Sequence, residues 1–484
     1  MIGGDLKVEK YRFRARPQNI NFVLFPSDQS SNQISLFSAI MLLLKMTLDT
    51  DSFFFYQDLF KCGIIEGLLV SVTVMLLVQL SIHNFTRCWF YGTAYNYPDV
   101  WTCVFGSKAL NFIPILLNII SYLTYVVWYC FEIHNNFSTF LRTVWPSCPS
   151  FLTNKWFLSY IINALTVVPC LFAHKFISLT WVAYIGNIAI VVSVICLIIL
   201  LVRTLNEFKF HIVVDTFGKI DGEDIPYLPF TNLFSKDPSG LFYCVGSVMT
   251  AFYMHPILDM VFSEMRNPTV FRCLSSTWIV NIVSIIIYYG IGLISYFIIQ
   301  VHFHDVIIVT SMMKPGEPSQ NSPVFKNRPY NIFSIVLGQE ISDLENENVF
   351  FNFPKSHTEA IVGQIASYIV TITTNIFYTY FLATQVSSLV IERRNDDTPP
   401  LLISGIVVIL FSIGINFMND KATQFLDFIA QIAFLILVFI LPSFFYLKLY
   451  RFTKPFWGII CVLLLVIGIP MSILVLYYEA LKIW

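Results

Sequence analysis

Charge is what this sequence has least of. Asp, Glu, Lys and Arg make up 12% of its 484 residues, about half the share found in soluble globular domains. That is too little polar surface to cover a water-facing fold of this size. A formal net charge of −1 offers no basic surface for nucleic acid. The ten cysteines are scattered, most of them inside apolar runs, and no Cys-x-x-Cys occurs, so neither a disulfide framework nor a structural metal is expected. The enzyme signatures are missing too: no Walker loop, no His-Glu-x-x-His, no Gly-x-Ser-x-Gly. No cofactor is expected, and ATP-driven transport by this chain alone is excluded. The absence of an Arg-rich voltage-sensing helix and of a Thr-Val-Gly-Tyr-Gly filter lowers the channel reading.

What is present is hydrocarbon. Apolar residues reach 56% and aromatics 17%, with 47 Phe, and mean hydropathy is +0.70. The apolar residues cluster in runs of about 20, the length of helix that crosses about 30 Å of lipid. The expected class is all-α integral membrane, with about eleven spans by this length rule. They fall near 34–58, 62–82, 109–132, 155–173, 177–202, 240–262, 274–301, 360–388, 400–417, 424–448 and 456–478. Links 203–239 and 302–359 are longer, and the second holds a Pro/Ser/Asn-rich stretch and an acidic run; both read as solvent loops.

Residues 1–33 read as a polar tail with Lys7, Lys10, Arg12, Arg14 and Arg16. No apolar leader with a small-residue cleavage site follows, so the first span is expected to direct insertion itself. With the N-terminus cytosolic, the same side also gathers Arg87, Lys108, Arg266, Arg272, Arg393, Arg394, Arg451 and Lys454, as the positive-inside rule requires. The two long loops then lie outside or in a lumen. Asn136-Phe137-Ser138 falls in an outer loop, making Asn136 a glycosylation candidate, while Asn84-Phe85-Thr86 is inside and silent.

Ionisable residues inside spans are candidate functional groups. The first span carries Lys45, Thr47, Asp49, Thr50, Asp51 and Ser52 at mid-length. Lys45 and Asp49, four residues apart, are placed to pair on one helical face. The hydroxyl-rich stretch offers alternative backbone bonding and can break the helix, and a broken helix at the midplane is where transporters build sites. A structural ion pair within the bundle is the plainer reading. The sixth span holds the aromatic pair Phe252 and Tyr253, then His255, Pro256 and Asp259. Pro256 forces a kink or break. His255 reads equally as a helix–helix hydrogen-bond partner or as a functional group. In the eighth span Thr371, Thr374 and Asn375 share a face, either as glue between helices or as oxygens for a cation.

On these residues the chain resembles the amino acid/auxin permease family, nearest to its neutral amino acid (system A/N-like) transporters. The resemblance runs in order over about residues 36–477. Its most specific segment is Ala-Phe-Tyr-Met-His-Pro-Ile-Leu-Asp-Met-Val-Phe-Ser-Glu-Met-Arg-Asn-Pro, residues 251–268; Phe439 to Leu449 matches next best. Tyr97 to Gly106, and Pro169 with Phe176 to Gly186, match more weakly. The resemblance implies a LeuT-like fold of two inverted five-helix repeats, at 34–202 and 240–448, plus an extra helix within 449–484. It implies secondary transport of an amino acid or amine, bound between the unwound middles of spans one and six. Substrate-binding candidates are therefore Thr47, Asp49, Thr50, Asp51, Ser52, Phe252, Tyr253, His255 and Asp259. A sodium ion, where the family uses one, lies between spans one and eight; coupling-ion candidates are Lys45, Thr371, Thr374 and Asn375, with Na+ or H+ as the ion. The expected setting is a plasma or endolysosomal/vacuolar membrane with lipid as the surrounding partner, oligomeric state open.

The chain departs from the family pattern in the first span. The family's Gly-x-Gly, whose N–H groups receive the substrate carboxylate, falls on Asp49-Thr50-Asp51. The Pro of its Leu-Pro falls near Tyr56, and its sodium-ligand Asn falls near Lys45. Carboxylates at that place disfavour a substrate carboxylate, and an ammonium at a cation site can stand in for sodium. Sodium-independent transport, proton-coupled or uncoupled, of cationic amino acids or amines is one expectation; a Lys45–Asp49 pair leaving ordinary recognition intact is the other. A sensor that no longer transports, and more remotely a multispan enzyme using His255, are the rival functions.

Overall fold

Transmembrane backbone must satisfy its own hydrogen bonds, because lipid offers none, and the molecule is built accordingly. The computed structural model describes residues 33–91, 97–106, 110–145, 147–173, 176–207, 234, 238–311, 358–390, 398–416, 420–450 and 455–483. Among them all regular structure is helical, apart from one isolated bridge between Ile34 and Met265. Eight stretches are long and apolar enough to cross a membrane, and three shorter apolar helices, Leu36–Thr47, Trp156–Cys170 and Pro400–Ile415, stand at the places of the expected first, fourth and ninth spans. Polar and apolar residues are distributed as lipid demands. Leu165, Phe271, Ile286 and Val466 are among the most exposed side chains, while Lys45, Thr50, Asn281, Asn375 and His255 are fully buried. The chain is a multi-pass integral membrane protein.

The first span is three pieces: α1 (Leu36–Thr47), a 3-10 turn (Thr50–Phe53) and α2 (Phe55–Cys62). Gly63, at φ 87°, turns the chain into α3 (Ile64–Tyr91), using a backbone region that costs glycine little. Then come the short α4 (Tyr97–Phe105), α5 (Phe112–Val144), α6 (Lys155–Cys170) and α7 (Thr180–Glu207). The sixth span is again broken, into α8 (Pro238–Ala251) and α9 (His255–Glu264). It is followed by α10 (Val270–Ser311), α11 (Thr358–Val390), α12 (Thr398–Asn416), α13 (Asp420–Leu435), a π turn (Ile436–Ile440), α14 (Leu441–Tyr450) and α15 (Pro455–Ile483).

The two broken spans are antiparallel. α1 packs on α9, and α2 packs on α8, so the breaks lie level with one another. Helices α7, α10 and α11 pack against the first broken span, and α5 reaches both breaks through hydrogen bonds of Tyr129 and Tyr125. Both breaks lie inside the protein: Asp49, Thr50, Ser52, Tyr253 and Met254 are at most 2% exposed, and within residues 49–53 only Asp51 is partly exposed. That is the one place where non-helical backbone is tolerated at membrane depth.

Three expectations about boundaries change. The third span does not stop near residue 132; α5 continues to Val144, so Asn136 is a helical residue. It is 6% exposed and donates from Nδ2 to Glu132 Oε2 at 2.7 Å. A glycan acceptor needs an accessible amide, so the glycosylation assignment is withdrawn. The link expected from residue 302 opens with nearly three more turns of α10, which runs to Ser311. Residues 97–106, expected to precede a span as a link, form α4. The tail through residue 32, the basic residues at 108, 393, 394, 451 and 454, and most of both long links lie outside the described residues.

Candidate functional site

The first break is made by its own side chains. α1 ends where the Leu48 N–H closes on Leu44 O at 2.8 Å. Asp49 then caps the 3-10 turn: its Oδ1 accepts from the Asp51 N–H at 3.1 Å, and its carbonyl accepts from the Ser52 hydroxyl at 2.7 Å. Short polar side chains that bond nearby backbone compete with the helix, which is why the apolar run gives way here. The other carboxylate oxygen, Oδ2, accepts from the Tyr129 hydroxyl of α5 at 2.7 Å. Thr47 pairs with Ser284 of α10 at 2.6 Å, and Thr50 with Thr371 of α11 at 3.0 Å. Asp51 is partly exposed as a residue, and its carboxylate has neither a hydrogen bond nor an ion pair among the described residues.

Lys45 does not pair with Asp49. Its ammonium donates instead to Leu48 O at 3.2 Å and to the Thr374 hydroxyl of α11. The Thr374 hydroxyl spends its own proton on Val370 O at 2.8 Å, which turns its lone pairs toward the cation. The stem of Lys45 lies against Gly186 of α7. A Cβ there would sit 2.5 Å from Lys45 Cδ and Cε and 2.6 Å from Thr373 Oγ1, so the close approach requires glycine. The i,i+4 expectation fails because the helix ends between the two residues, leaving Asp49 off the face that carries Lys45.

The second break follows from Pro256, which has no N–H to give. α8 ends at Ala251, and the chain re-enters helix at His255 with Pro256 in its first turn. His255 Nε2 bonds the Ser81 hydroxyl of α3 at 2.9 Å, and Ser81 also donates to Val438 O in the π turn. One helical turn on, Asp259 Oδ2 accepts from the Tyr97 N–H at 3.2 Å, and the Tyr97 hydroxyl donates to Leu437 O at 3.0 Å. Carbonyls released by the π turn are thus taken by two residues that also hold α9. His255 and Asp259 brace helices, and among the described residues no hydrogen bond joins either to the Asp49–Asp51 stretch.

Asn375, expected with Thr371 and Thr374, points elsewhere: its Nδ2 donates to Asn163 Oδ1 of α6 at 2.7 Å. Its oxygen meets the Thr379 hydroxyl at 3.4 Å, so among the described residues neither end of the amide bonds Lys45 or Thr374. Phe252 and Tyr253 are buried at the second break, and Tyr253 OH meets Ser121 Oγ at 3.3 Å. Among the described residues no group of three or more His, Cys, Asp or Glu is placed to hold a metal ion.

The residues that sequence reasoning passed over are tyrosines of α5. Tyr122, Tyr125 and Tyr129 stand three and four apart, one helical face. Tyr125 donates to Thr250 O, at the end of α8, at 3.0 Å. Its ring stacks on Tyr378 of α11 at 4.6 Å, and Tyr122 lies 4.4 Å from Phe381 and 5.8 Å from Tyr253. One face of α5 therefore touches both breaks, and its i, i+3, i+7 spacing was the available signal. The hydroxyls of Tyr122 and of Tyr288 in α10 are buried without a partner among the described residues.

No protein-family model matches the chain, and no curated protein matches it. Among solved structures it is similar to MhsT in complex with L-phenylalanine, at 12% identity and a TM-score of 0.58, covering 93% of this chain and 100% of that one. At this identity the likeness is one of fold, and the fold is LeuT-like.

Proposed function

We propose that the chain is a secondary transporter of amino acids or amines, working by alternating access about its two broken spans, and that it needs no sodium. The observation that carries the second half is the Lys45 ammonium, held by Leu48 O at the end of α1 and by Thr374 of α11. A backbone carbonyl freed by a broken helix and a hydroxyl whose proton is directed away make an oxygen pocket for a cation, and a tethered ammonium fills it. The first half is supported by the LeuT-like fold, by the resemblance of residues 251–268 to amino acid/auxin permeases, and by the solved relative's L-phenylalanine. The test is uptake by the purified protein in liposomes of radiolabelled neutral, cationic and acidic amino acids and of amines. Saturable uptake of one or more is expected. Uptake of none would remove the transporter reading; thermal stabilisation by one of them without uptake would favour a sensor.

A further inference from the structure

The break in the first span presents two donors toward the centre of the bundle, the Asp51 N–H and the Tyr129 hydroxyl. Both are used by a single carboxylate, that of Asp49, one by each oxygen at 3.1 and 2.7 Å. A free carboxylate from a ligand would find those two donors already taken by Asp49, and it would meet the carboxylate of Asp51 besides. Asp51 is the opposite case, a carboxylate with no hydrogen bond or ion pair among the described residues. Formal charge agrees: within the first break Lys45 against Asp49 and Asp51 is +1 − 2 = −1, the one cation of that stretch is already held by oxygens, and the buried Asp58 of α2 and Glu132 of α5 add acid rather than a further cation. Uncompensated charge inside a membrane protein is costly. A monocation balances it, whereas a zwitterion leaves the deficit and adds a like charge.

The surroundings suit a cation. Tyr288, 3% exposed and with its hydroxyl unpartnered among the described residues, stands edge-on to Phe55 at 5.0 Å on the helix that packs against the 3-10 turn carrying Asp51. Tyr125, Tyr129 and Tyr378 lie beside the same stretch, with Tyr378 4.6 and 5.5 Å from the other two rings. Aromatic faces attract ammonium groups. Resting on the transporter reading above, we infer that the solute is an amine lacking a carboxylate: Asp49 supplies the carboxylate that an amino acid would bring, and Asp51, with the Tyr288 hydroxyl, receives the ammonium.

Matched pairs differing only in the α-carboxylate test this: phenethylamine against phenylalanine, tyramine against tyrosine, cadaverine against lysine. Uptake into liposomes and thermal stabilisation of the full-length protein are both read. The amine of at least one pair is expected to be carried at least tenfold faster than its amino acid and to be the stabilising member. Asp51→Asn should lower amine uptake at least tenfold with little change in melting temperature. Asp49→Gly, which frees the two donors, should move preference toward the amino acid of the pair. Amino acids carried as well as amines by the unaltered protein would overturn the inference and leave the transporter reading standing. Stabilisation by amines alone without uptake would support the site and remove transport. Neither uptake nor stabilisation by any pair would overturn both.

Discussion

The hydroxyl of Tyr129 donates a 2.7 Å hydrogen bond to the carboxylate of Asp49, and through it α5 grips the first break. One turn earlier on the same helix, Tyr125 donates to Thr250 O beside the second break. Two tyrosines on one face thus hold the two irregular segments of the molecule in register. Buried carboxylates that lose a donor lose more than a neutral group does.

Tyr129→Phe removes that donor while keeping the ring. It is expected to cost about 1–3 kcal/mol of stability and to slow uptake at least tenfold. Tyr125→Phe, acting on a neutral carbonyl, should cost less. Thermal unfolding in detergent with parallel uptake ranks the two, and equal costs would contradict the charge argument.

Gly186 and Lys45 should behave as one unit. Gly186→Ala places a methyl within 2.5 Å of the lysine stem, and overpacking of this kind costs about 1–3 kcal/mol. In the Lys45→Ala background the cost should fall, leaving only the 2.6 Å approach to the Thr373 hydroxyl. A double-mutant cycle reads this directly; additive losses would mean that the lysine does not lie against Gly186.

Asp259→Asn and His255→Ala probe the bracing of α9 by α4 and the π turn. Asp259→Asn weakens a charge-assisted hydrogen bond from Tyr97, worth about 1.5–3 kcal/mol. Lower stability and a lower maximal rate are expected, with the ranking of substrates unchanged. A changed ranking would return these residues to the substrate site.

Asn136→Gln should leave the glycan profile of protein from eukaryotic cells unchanged, because the amide is buried in α5 against Glu132. A loss of one glycan on gel mobility would contradict that placement.

Much of this was legible in the sequence, for physical reasons that differ by residue. Span positions follow from apolar length alone. The breaks follow from local chemistry, Pro256 in one case and the Thr47–Ser52 hydroxyls and acids in the other. The Lys45–Thr374 contact was foreseeable as a cation place on spans one and eight. What failed was whatever depended on side-chain direction. Lys45 and Asp49 are four apart but not on a common helix, so the i,i+4 rule does not apply to them. Asn375 shares a helical face with Thr371 and Thr374, yet its longer amide reaches α6. His255 and Asp259 beside a proline break resemble site residues, but their partners, Ser81 and Tyr97, come from elements far away in sequence. Glycosylation at Asn136 was read from a span drawn three turns too short.

The central claim, that the Lys45 ammonium stands where a coupling cation would, is tested most directly by sodium titration of liposome uptake for the unaltered protein and for Lys45→Asn. With sodium replaced by choline, the unaltered protein is expected to keep its rate within about twofold, since a tethered charge cannot be diluted away. Lys45→Asn, which leaves Leu48 O and the Thr374 hydroxyl without their cation, should become sodium-stimulated in rate or in thermal stability. Strict sodium dependence of the unaltered protein would contradict the claim.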